Sequence, residues 1–256
     1  MFAKYKALLK DTMIYGMGNI STRIVGLILL PIYTSRLSVS DYGVLGIAEI
    51  TCQLLIIVFG AELHRAFYRF YWDKDYFDDR KSMLFTSLFF LLVYVGLLFL
   101  GIYPFANKLA FFLFESSRYA YLLKLMLINT GLHVYYQFIS SLFKVKRKPL
   151  YFSISNIIKL FITLLVTVYL IVYRNRSVEA IYEAQIIGML VYLLIVSKFV
   201  FANIHLKIHF SVLKDMIAFS SPLIMAAVSG TVLTISDRYC LRYLGQLSQV
   251  GIYSLG

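Results

Sequence analysis

The sequence predicts an all-α integral membrane protein built as a multi-span helical bundle, on three observations. Hydrophobic residues make up 60% of the 256-residue chain and charged residues only 15%, whereas soluble domains carry about 25% charged residues. Apolar runs recur along the chain at roughly the 20-residue length that a helix needs to cross a membrane. These runs lack the period-2 alternation of barrel strands, so helices are the expected spanning elements.

The apolar runs predict seven spans, and an eighth begins near Leu247. Their predicted bounds are 12–33, 42–63, 82–104, 120–142, 150–173, 179–201 and 216–236. Each run, coiled at roughly 1.5 Å per residue, is about as long as the hydrocarbon layer is thick. Many of the aromatic residues lie near the ends of the runs, where their rings suit the headgroup level.

The first two spans each carry a polar face. In span 1, Asn19 and Arg23 are one helical turn apart, with Arg23 near the middle of the span. In span 2, Glu49 and Gln53 have the same spacing. Polar side chains inside a membrane normally face the bundle or a water-filled cavity, so we expect both faces to point inward. Span 3 is predicted from its apolar run alone.

The later spans continue this pattern. Span 4 carries His133 and Gln137, and span 5 repeats a polar residue every fourth position, at Ser155, Lys159, Thr163 and Thr167. In span 6 the charged residues lie close to the ends, where they can reach the headgroups. Span 7 ends in Asp237 and Arg238, which are expected to form a local ion pair or a gate contact.

Arg23 and Lys159 are the two cations expected deep in the bilayer, where an unpaired charge costs at least ~2.5 kcal/mol. They are either structural ion pairs or part of the wall of a hydrated cavity, and we favour the cavity. Such a wall attracts an anionic headgroup. The predicted substrate cavity comprises Arg23, Lys159, Asn19, Gln53 and Gln137, with Glu49 and Asp237 as ion-pair or coupling-ion residues.

The loop charges predict the orientation. Lys and Arg residues concentrate before span 1 and after spans 2, 4 and 6. Because basic loops stay in the cytoplasm, the N-terminus is expected there, in a bacterial cytoplasmic membrane. Topology thus accounts for most of the net charge of +12, and nucleic acid is not an expected partner.

The chain also hints at an internal repeat. Leu9-Lys10-Asp11 before span 1 recurs as Leu213-Lys214-Asp215 before span 7, and Tyr42-Gly43 resembles Val250-Gly251. Parallel repeats of this kind occur in secondary transporters. We therefore predict a six-helix lobe over residues 1–210 and the start of a second lobe over 211–256, which would continue beyond this sequence.

Motifs for chemistry are missing from the sequence. There is no zinc-protease or phosphate-loop signature, and the two cysteines, Cys52 and Cys240, form no framework. A membrane glycosyltransferase or polymerase needs placed carboxylates, yet the predicted external loop at about 105–119 has Glu115 as its single acid. An enzyme is therefore not expected, and neither a metal nor a cofactor is predicted.

Two stretches carry a resemblance to a known family. Gly26-Leu27-Ile28-Leu29-Leu30-Pro31-Ile32-Tyr33-Thr34-Ser35-Arg36-Leu37, followed by Ser40-Asp41-Tyr42-Gly43, resembles the opening of the polysaccharide biosynthesis proteins. These are the Wzx-type O-antigen and capsule flippases of the multidrug/oligosaccharidyl-lipid/polysaccharide superfamily. The stretches Ser221-Pro222-Leu223, Ser236-Asp237-Arg238-Tyr239, Leu244-Gly245 and Val250-Gly251-Ile252-Tyr253 are similar to the start of that family's second half.

The resemblance implies two helical lobes around a central cavity that opens alternately to each side. It implies that undecaprenyl-pyrophosphate-linked saccharides are moved across the membrane for surface polysaccharide synthesis. Lipid-linked oligosaccharide, the bilayer, and a polymerase or chain-length protein are the expected partners, and H⁺ or Na⁺ the candidate coupling ion. The alternatives are a multidrug or cation exporter of the same superfamily, a glycan polymerase or glycosyltransferase, and a structural membrane protein.

Overall fold

The computed structural model describes residues 25–245 and 247–255, and these residues form helices and connecting turns with no strand. The α-helices, numbered in chain order, are α1 Val25–Arg36, α2 Val39–Gly60, α3 Leu63–Phe70, α4 Arg80–Ile102, α5 Ala106–Phe114, α6 Ala120–Val145, α7 Pro149–Val168, α8 Val178–Ala202, α9 Phe210–Leu244 and α10 Leu247–Leu255. Short 3₁₀ turns cover Lys74–Tyr76, Tyr103–Phe105 and Ser117–Tyr119, and a π-helical turn, Tyr169–Tyr173, extends α7.

Five helical stretches in the described residues are long and apolar enough to cross a membrane. They are Val39–Gly60, Arg80–Phe114, Pro149–Tyr173, Val178–Ala202 and Phe210–Leu244. The predicted class, an all-α multi-span membrane protein, is confirmed. The predicted external loop at 105–119 is largely helical instead, since α5 occupies Ala106–Phe114. Residues 12–24 of the predicted first span lie outside the described residues.

Helix α6 explains why hydropathy alone does not select the fourth predicted span. It runs for 26 residues and carries Lys124, Asn129, His133 and Gln137 spread along its length, so it lacks an uninterrupted apolar segment like those of the five stretches above. It packs against α2, α3, α4, α5, α7 and α8. A helix that is covered by protein on several sides needs fewer apolar residues than one that faces lipid.

Helix α2 has defined capping residues at both of its ends. Ser38 accepts a hydrogen bond from the backbone N–H of Asp41, and the Asp41 carboxylate accepts from the backbone N–H of Ser38, which together form a capping box. After Gly60, Ala61 and Glu62 both adopt left-handed backbone angles, with φ of 46° and 50°. These two residues separate the spanning helix α2 from the short helix α3.

The apolar surface divides into an inner core and an outer face. Buried side chains such as Phe59, Phe67 and Phe138 fill the interior between α2, α3 and α6. On the outer faces of α4 and α7, large apolar residues recur every three or four positions and remain exposed, among them Val93, Leu97, Leu100, Ile154, Ile157, Phe161 and Leu165. This pattern is typical of helices that face lipid on one side.

Helices α2 and α10 cross at two glycines in a symmetric way. A Cβ atom added at Gly43 would lie 1.9 Å from the carbonyl oxygen of Leu247, and one added at Gly251 would lie 2.2 Å from that of Val39. Gly251 lies 208 positions after Gly43, and Leu247 lies 208 positions after Val39. The two helices therefore exchange equivalent contacts, as in a two-fold arrangement.

Helix α9 contacts the rest of the protein near both of its ends. Near its start, Tyr76 donates a hydrogen bond of 2.7 Å to Asp215, and the Arg69 guanidinium lies 4.9 Å from the Phe219 ring centroid. Near its end, Arg242 forms a 2.7 Å ion pair with Glu115 and donates from Nε to the Leu113 carbonyl. The middle of α9 is largely exposed, including Met225 and Leu233.

Candidate functional site

A cavity with a mixed apolar and polar lining lies among α1, α2, α6, α7 and α8. Its volume is about 340 Å³, within the size range of small-molecule sites. Its polar and ionisable lining residues are Tyr33, Glu49, Asn129, His133, Lys159, Thr163, Thr167 and Gln185. Apolar residues such as Leu29, Leu45 and Met189 complete the wall. Such a mixture of charge, amide and hydroxyl groups within a membrane bundle is suited to a polar ligand.

Lys159 is held in this cavity by aromatic rings. Its ammonium nitrogen lies 3.9 Å from the Tyr136 ring centroid and 6.0 Å from that of Tyr192. The two rings pack against each other edge to face, with centroids 5.0 Å apart. Cation–π contacts of this kind gain strength where water is excluded. The ring faces thus stabilise a cation that forms no ion pair with any carboxylate in residues 25–245 and 247–255.

The three polar positions of α7 that line the cavity follow one helix face. Lys159, Thr163 and Thr167 are each four residues apart, and all three are in the lining. Opposite them, Gly188 of α8 allows a close approach, since a Cβ there would lie 2.0 Å from Thr163 Oγ1. Small residues at such contacts let helix backbones pack closely in membranes. The α7–α8 contact therefore fixes the position of Lys159.

Two amides bridge α6 and α8 in the same cavity. Asn129 Nδ2 donates a 2.9 Å hydrogen bond to Gln185 Oε1. Asn129 Oδ1 is buried and has no hydrogen-bond partner among the described residues, and the same holds for Thr167 Oγ1. A buried oxygen without a donor is energetically costly, so these two positions are points of polar strain in the wall of the cavity.

Glu49 is the carboxylate of the cavity wall. It lies on α2 and is exposed. Arg238 of α9 acts on it electrostatically, although the two form no ion pair within the described residues.

The remaining predicted site residues lie elsewhere or cannot be placed. Gln53 is exposed on α2 and Gln137 half-buried on α6, and the cavity lining contains neither. Asp237 is exposed and accepts hydrogen bonds from the Tyr253 hydroxyl and from the backbone N–H of Arg238, so it joins α9 to α10. Asn19 and Arg23 fall outside the described residues. The assignment of these residues to a substrate site stays a prediction.

Sequence reasoning missed several members of the site. From the sequence, Tyr136 and Tyr192 resemble the other aromatic residues of the spans, because nothing in the sequence shows that their ring faces contact Lys159. Asn129 and Gln185 carried a usable signal, since each is an uncharged amide well inside an apolar run. Asn129 lies one turn before His133, on the polar face of α6.

The described residues contain no group of three or more His, Cys, Asp or Glu side chains that could hold a metal ion.

Comparison with known proteins gives a match to a protein family. The family model described as "Polysaccharide biosynthesis protein" matches residues 8–256. No curated protein and no solved structure matches the chain.

Proposed function

Because the chain belongs to the polysaccharide biosynthesis protein family, we propose that it moves lipid-linked saccharide units across the bacterial cytoplasmic membrane. Its membership and its membrane-spanning helices give it a role in polysaccharide biosynthesis or transport. The finer proposal is that the cargo is an undecaprenyl-pyrophosphate-linked repeat unit, exported for O-antigen or capsule synthesis, and that the protein is a transporter without catalytic activity.

The observation that carries this proposal is the cavity around Lys159. A lysine that lacks a carboxylate partner among the described residues and lines a cavity leaves a positive charge available to an anion. Pyrophosphate and acidic sugars are the anions that such a cargo offers. Asn129, Gln185 and Thr163 supply neutral groups of the kind that hydrogen-bond sugar hydroxyls. The polyprenyl tail would stay in the bilayer throughout.

The transport cycle would follow from two lobes that rock against each other. We propose that residues 1–210 form one lobe and that 211–256 belong to a second lobe that repeats the first. The equivalent contacts of Gly43 with Leu247 and of Gly251 with Val39 support this reading. The N-terminus would face the cytoplasm, and H⁺ or Na⁺ would drive the cycle, with Glu49 as the candidate coupling residue.

A second candidate function, export of an organic cation, is favoured by one observation. Glu49 and the rings of Tyr33 and Tyr136 lie in or beside the same cavity, and carboxylates with aromatic rings bind cations. Lys159 opposes it, because its charge would repel such a cargo. The two functions therefore differ in what removal of the Lys159 charge would do.

We expect Lys159→Gln to lower export of the lipid-linked glycan by about tenfold or more, the effect of losing roughly 1.4 kcal/mol of binding. Lys159→Arg, which keeps the charge, should retain most activity. Surface polysaccharide would be measured in cells that carry each variant, with the amount of protein in the membrane determined in parallel. Lys198→Gln, at an exposed lysine of α8, is the matched control.

Normal surface polysaccharide in the Lys159→Gln strain would overturn the anionic-cargo proposal. An increase in efflux of cationic dyes by the same variant would favour the exporter instead.

A further inference from the structure

A cluster of cations and aromatic rings lies away from the cavity, at one end of the bundle. We name Tyr71, Trp72, Phe77, Arg80, Lys146 and Arg147 the aromatic–basic cluster. The Arg80 guanidinium carbon lies 3.9 Å from the Phe77 ring centroid and 4.7 Å from that of Tyr71. Lys146 Nζ lies 5.8 Å from the Tyr71 ring, and the Arg147 guanidinium lies 5.9 Å from the Trp72 ring. Three cations thus converge on two adjacent rings.

These three cations lack acidic partners among the described residues. None of them forms an ion pair with a described carboxylate, and Arg80 instead donates from Nε to the Tyr71 carbonyl at 2.6 Å. Four aspartates lie in the same segment: Asp73 caps the following turn, Asp79 contacts His209, and Asp75 and Asp78 are exposed to solvent without an ion pair to a described residue. Like charges held close together repel one another unless an anion lies between them.

The cluster lies at the level where helices leave the membrane. It joins the segment between α2 and α4 to the turn between α6 and α7, and all four helices end or begin there, at Gly60, Arg80, Val145 and Pro149. Trp72 is 51% exposed and Phe77 is 59% exposed. Exposed aromatic rings beside basic residues are typical of the bilayer interface.

We propose that the aromatic–basic cluster binds an anionic phospholipid, with its phosphate among Arg80, Lys146 and Arg147 and its upper acyl chain against Trp72 and Phe77. The positive-inside rule assigns this end to the cytoplasm, where anionic lipids attract basic groups near the membrane surface. Lys144 and Lys148 are exposed beside the cluster and add to the attraction. The proposal does not depend on the cargo of the central cavity.

Trp72 allows a direct test, because it is the one tryptophan in the chain. The purified protein would be placed in bilayer discs that contain equal mole fractions of brominated phosphatidylglycerol or brominated phosphatidylcholine, with bromine near the head of the acyl chain. We expect brominated phosphatidylglycerol to quench Trp72 fluorescence at least about twofold more, since each nearby cation favours an anionic lipid.

The double variant Lys146→Gln/Arg147→Gln should abolish the preference for phosphatidylglycerol. It leaves the contact between Arg80 and Tyr71 intact. The matched control is Lys207→Gln/Lys214→Gln, which removes the same charge at two exposed lysines of the α8–α9 region. It should keep the preference. Equal quenching by the two lipids in the wild type would overturn the proposal and leave the surface to an acidic protein partner. Equal loss of the lipid preference in both double variants would also overturn the proposal, because it would show that the preference depends on the total charge of the protein and not on this cluster.

Discussion

Three groups of charged residues in the described part of the chain have different surroundings, and each has a different energetic basis. Lys159 lies on a tyrosine ring at the cavity, so the electrons of the ring partly replace the water that the ammonium group has lost. Arg242 is buried and has two oxygen partners. Arg80, Lys146 and Arg147 lie at the bundle end beside exposed rings. Of these three groups, Lys159 is the one that lines the cavity.

His64 provides a prediction at the residue scale. Burial lowers the pKa of His64 from 6.5 to about 4, and the positive charges of Arg65 and Lys144 act in the same direction. The folded protein therefore holds this imidazole neutral, whereas the unfolded chain takes up a proton as the pH falls below about 6.5. Because the unfolded state binds more protons between pH 6.5 and 4, His64 destabilises the fold across that window as the pH falls.

We expect His64→Gln to lose less thermal stability than the wild type when the pH is lowered from about 7 to 5. Melting of the detergent-purified protein would be followed at both pH values. His205→Gln, at an exposed histidine near the same end of the bundle, should melt like the wild type. Identical pH dependence in His64→Gln and the wild type would show that His64 can be protonated in the folded protein.

At the scale of elements, the central position of α6 and the close contact between α7 and α8 define the cavity. Helix α6 supplies Asn129 and His133 and is covered by six other helices. Helix α7 supplies the polar face with Lys159, and Gly188 of α8 determines how near the two helices approach. The geometry of the cavity thus depends on a residue that has no side chain.

Gly188→Ala is expected to destabilise the protein by about 1–3 kcal/mol, as overpacking does in other cores. The added methyl would lie 2.0 Å from Thr163 Oγ1 and 3.1 Å from the Lys159 carbonyl oxygen. The branched Thr163 side chain has few χ1 rotamers open to it in a helix, which restricts the relief that its rotation can give. The double variant Gly188→Ala/Thr163→Ala lacks the Thr163 hydroxyl oxygen and should recover part of the lost stability.

Thermal melting of the single and double variants would measure this effect. Gly96→Ala is the control, since nothing lies within 4 Å of a Cβ at that position, and the higher helix propensity of alanine should leave it neutral or slightly stabilising. A Gly188→Ala protein as stable as Gly96→Ala would show that α7 and α8 can separate without cost.

For the molecule as a whole, α9 joins two ends of the bundle. It meets α3 and the turn before α4 through Phe219 and Asp215, and it meets the end of α5 through Arg242. The side chain of Arg242 is 8% exposed, so its ion pair with Glu115 is largely desolvated on that side. The Glu115 side chain is 64% exposed, so the cost of losing this carboxylate arises mainly from the Arg242 guanidinium that would stay buried without it.

The charge-reversal variants Glu115→Arg and Arg242→Glu should each lower the melting temperature, because each places like charges together. The double variant Glu115→Arg/Arg242→Glu restores opposite charges and should recover at least about half of the combined loss, a coupling energy of roughly 0.5–3 kcal/mol. Strict additivity of the two single effects would show that the ion pair does not hold α9 to α5. Export measured on the same variants would reveal whether this contact also affects transport.

The sequence by itself determined the class of the protein and most of its helices. Runs of apolar residues must coil as helices because a membrane offers no partner for free backbone groups, so the predicted spans at 42–63, 82–104, 150–173 and 179–201 closely match α2, α4, α7 and α8. The four-residue spacing of Lys159, Thr163 and Thr167 predicted that they share one helix face, because residues four apart are neighbours on an α-helix. The helix α5 escaped prediction, because nine residues are too few for a span.

Only the tertiary structure decided which polar residues meet. Glu49 and Lys159 line one cavity, whereas Gln53 and Gln137 carry the same sequence signal and lie outside its lining. The aromatic partners of Lys159 and the contact between Gly43 and the backbone of α10 were likewise invisible in the sequence. Helical periodicity determines the direction in which a side chain projects from the axis of its own helix. The rotation and crossing angle of neighbouring helices depend instead on how all their surfaces pack together.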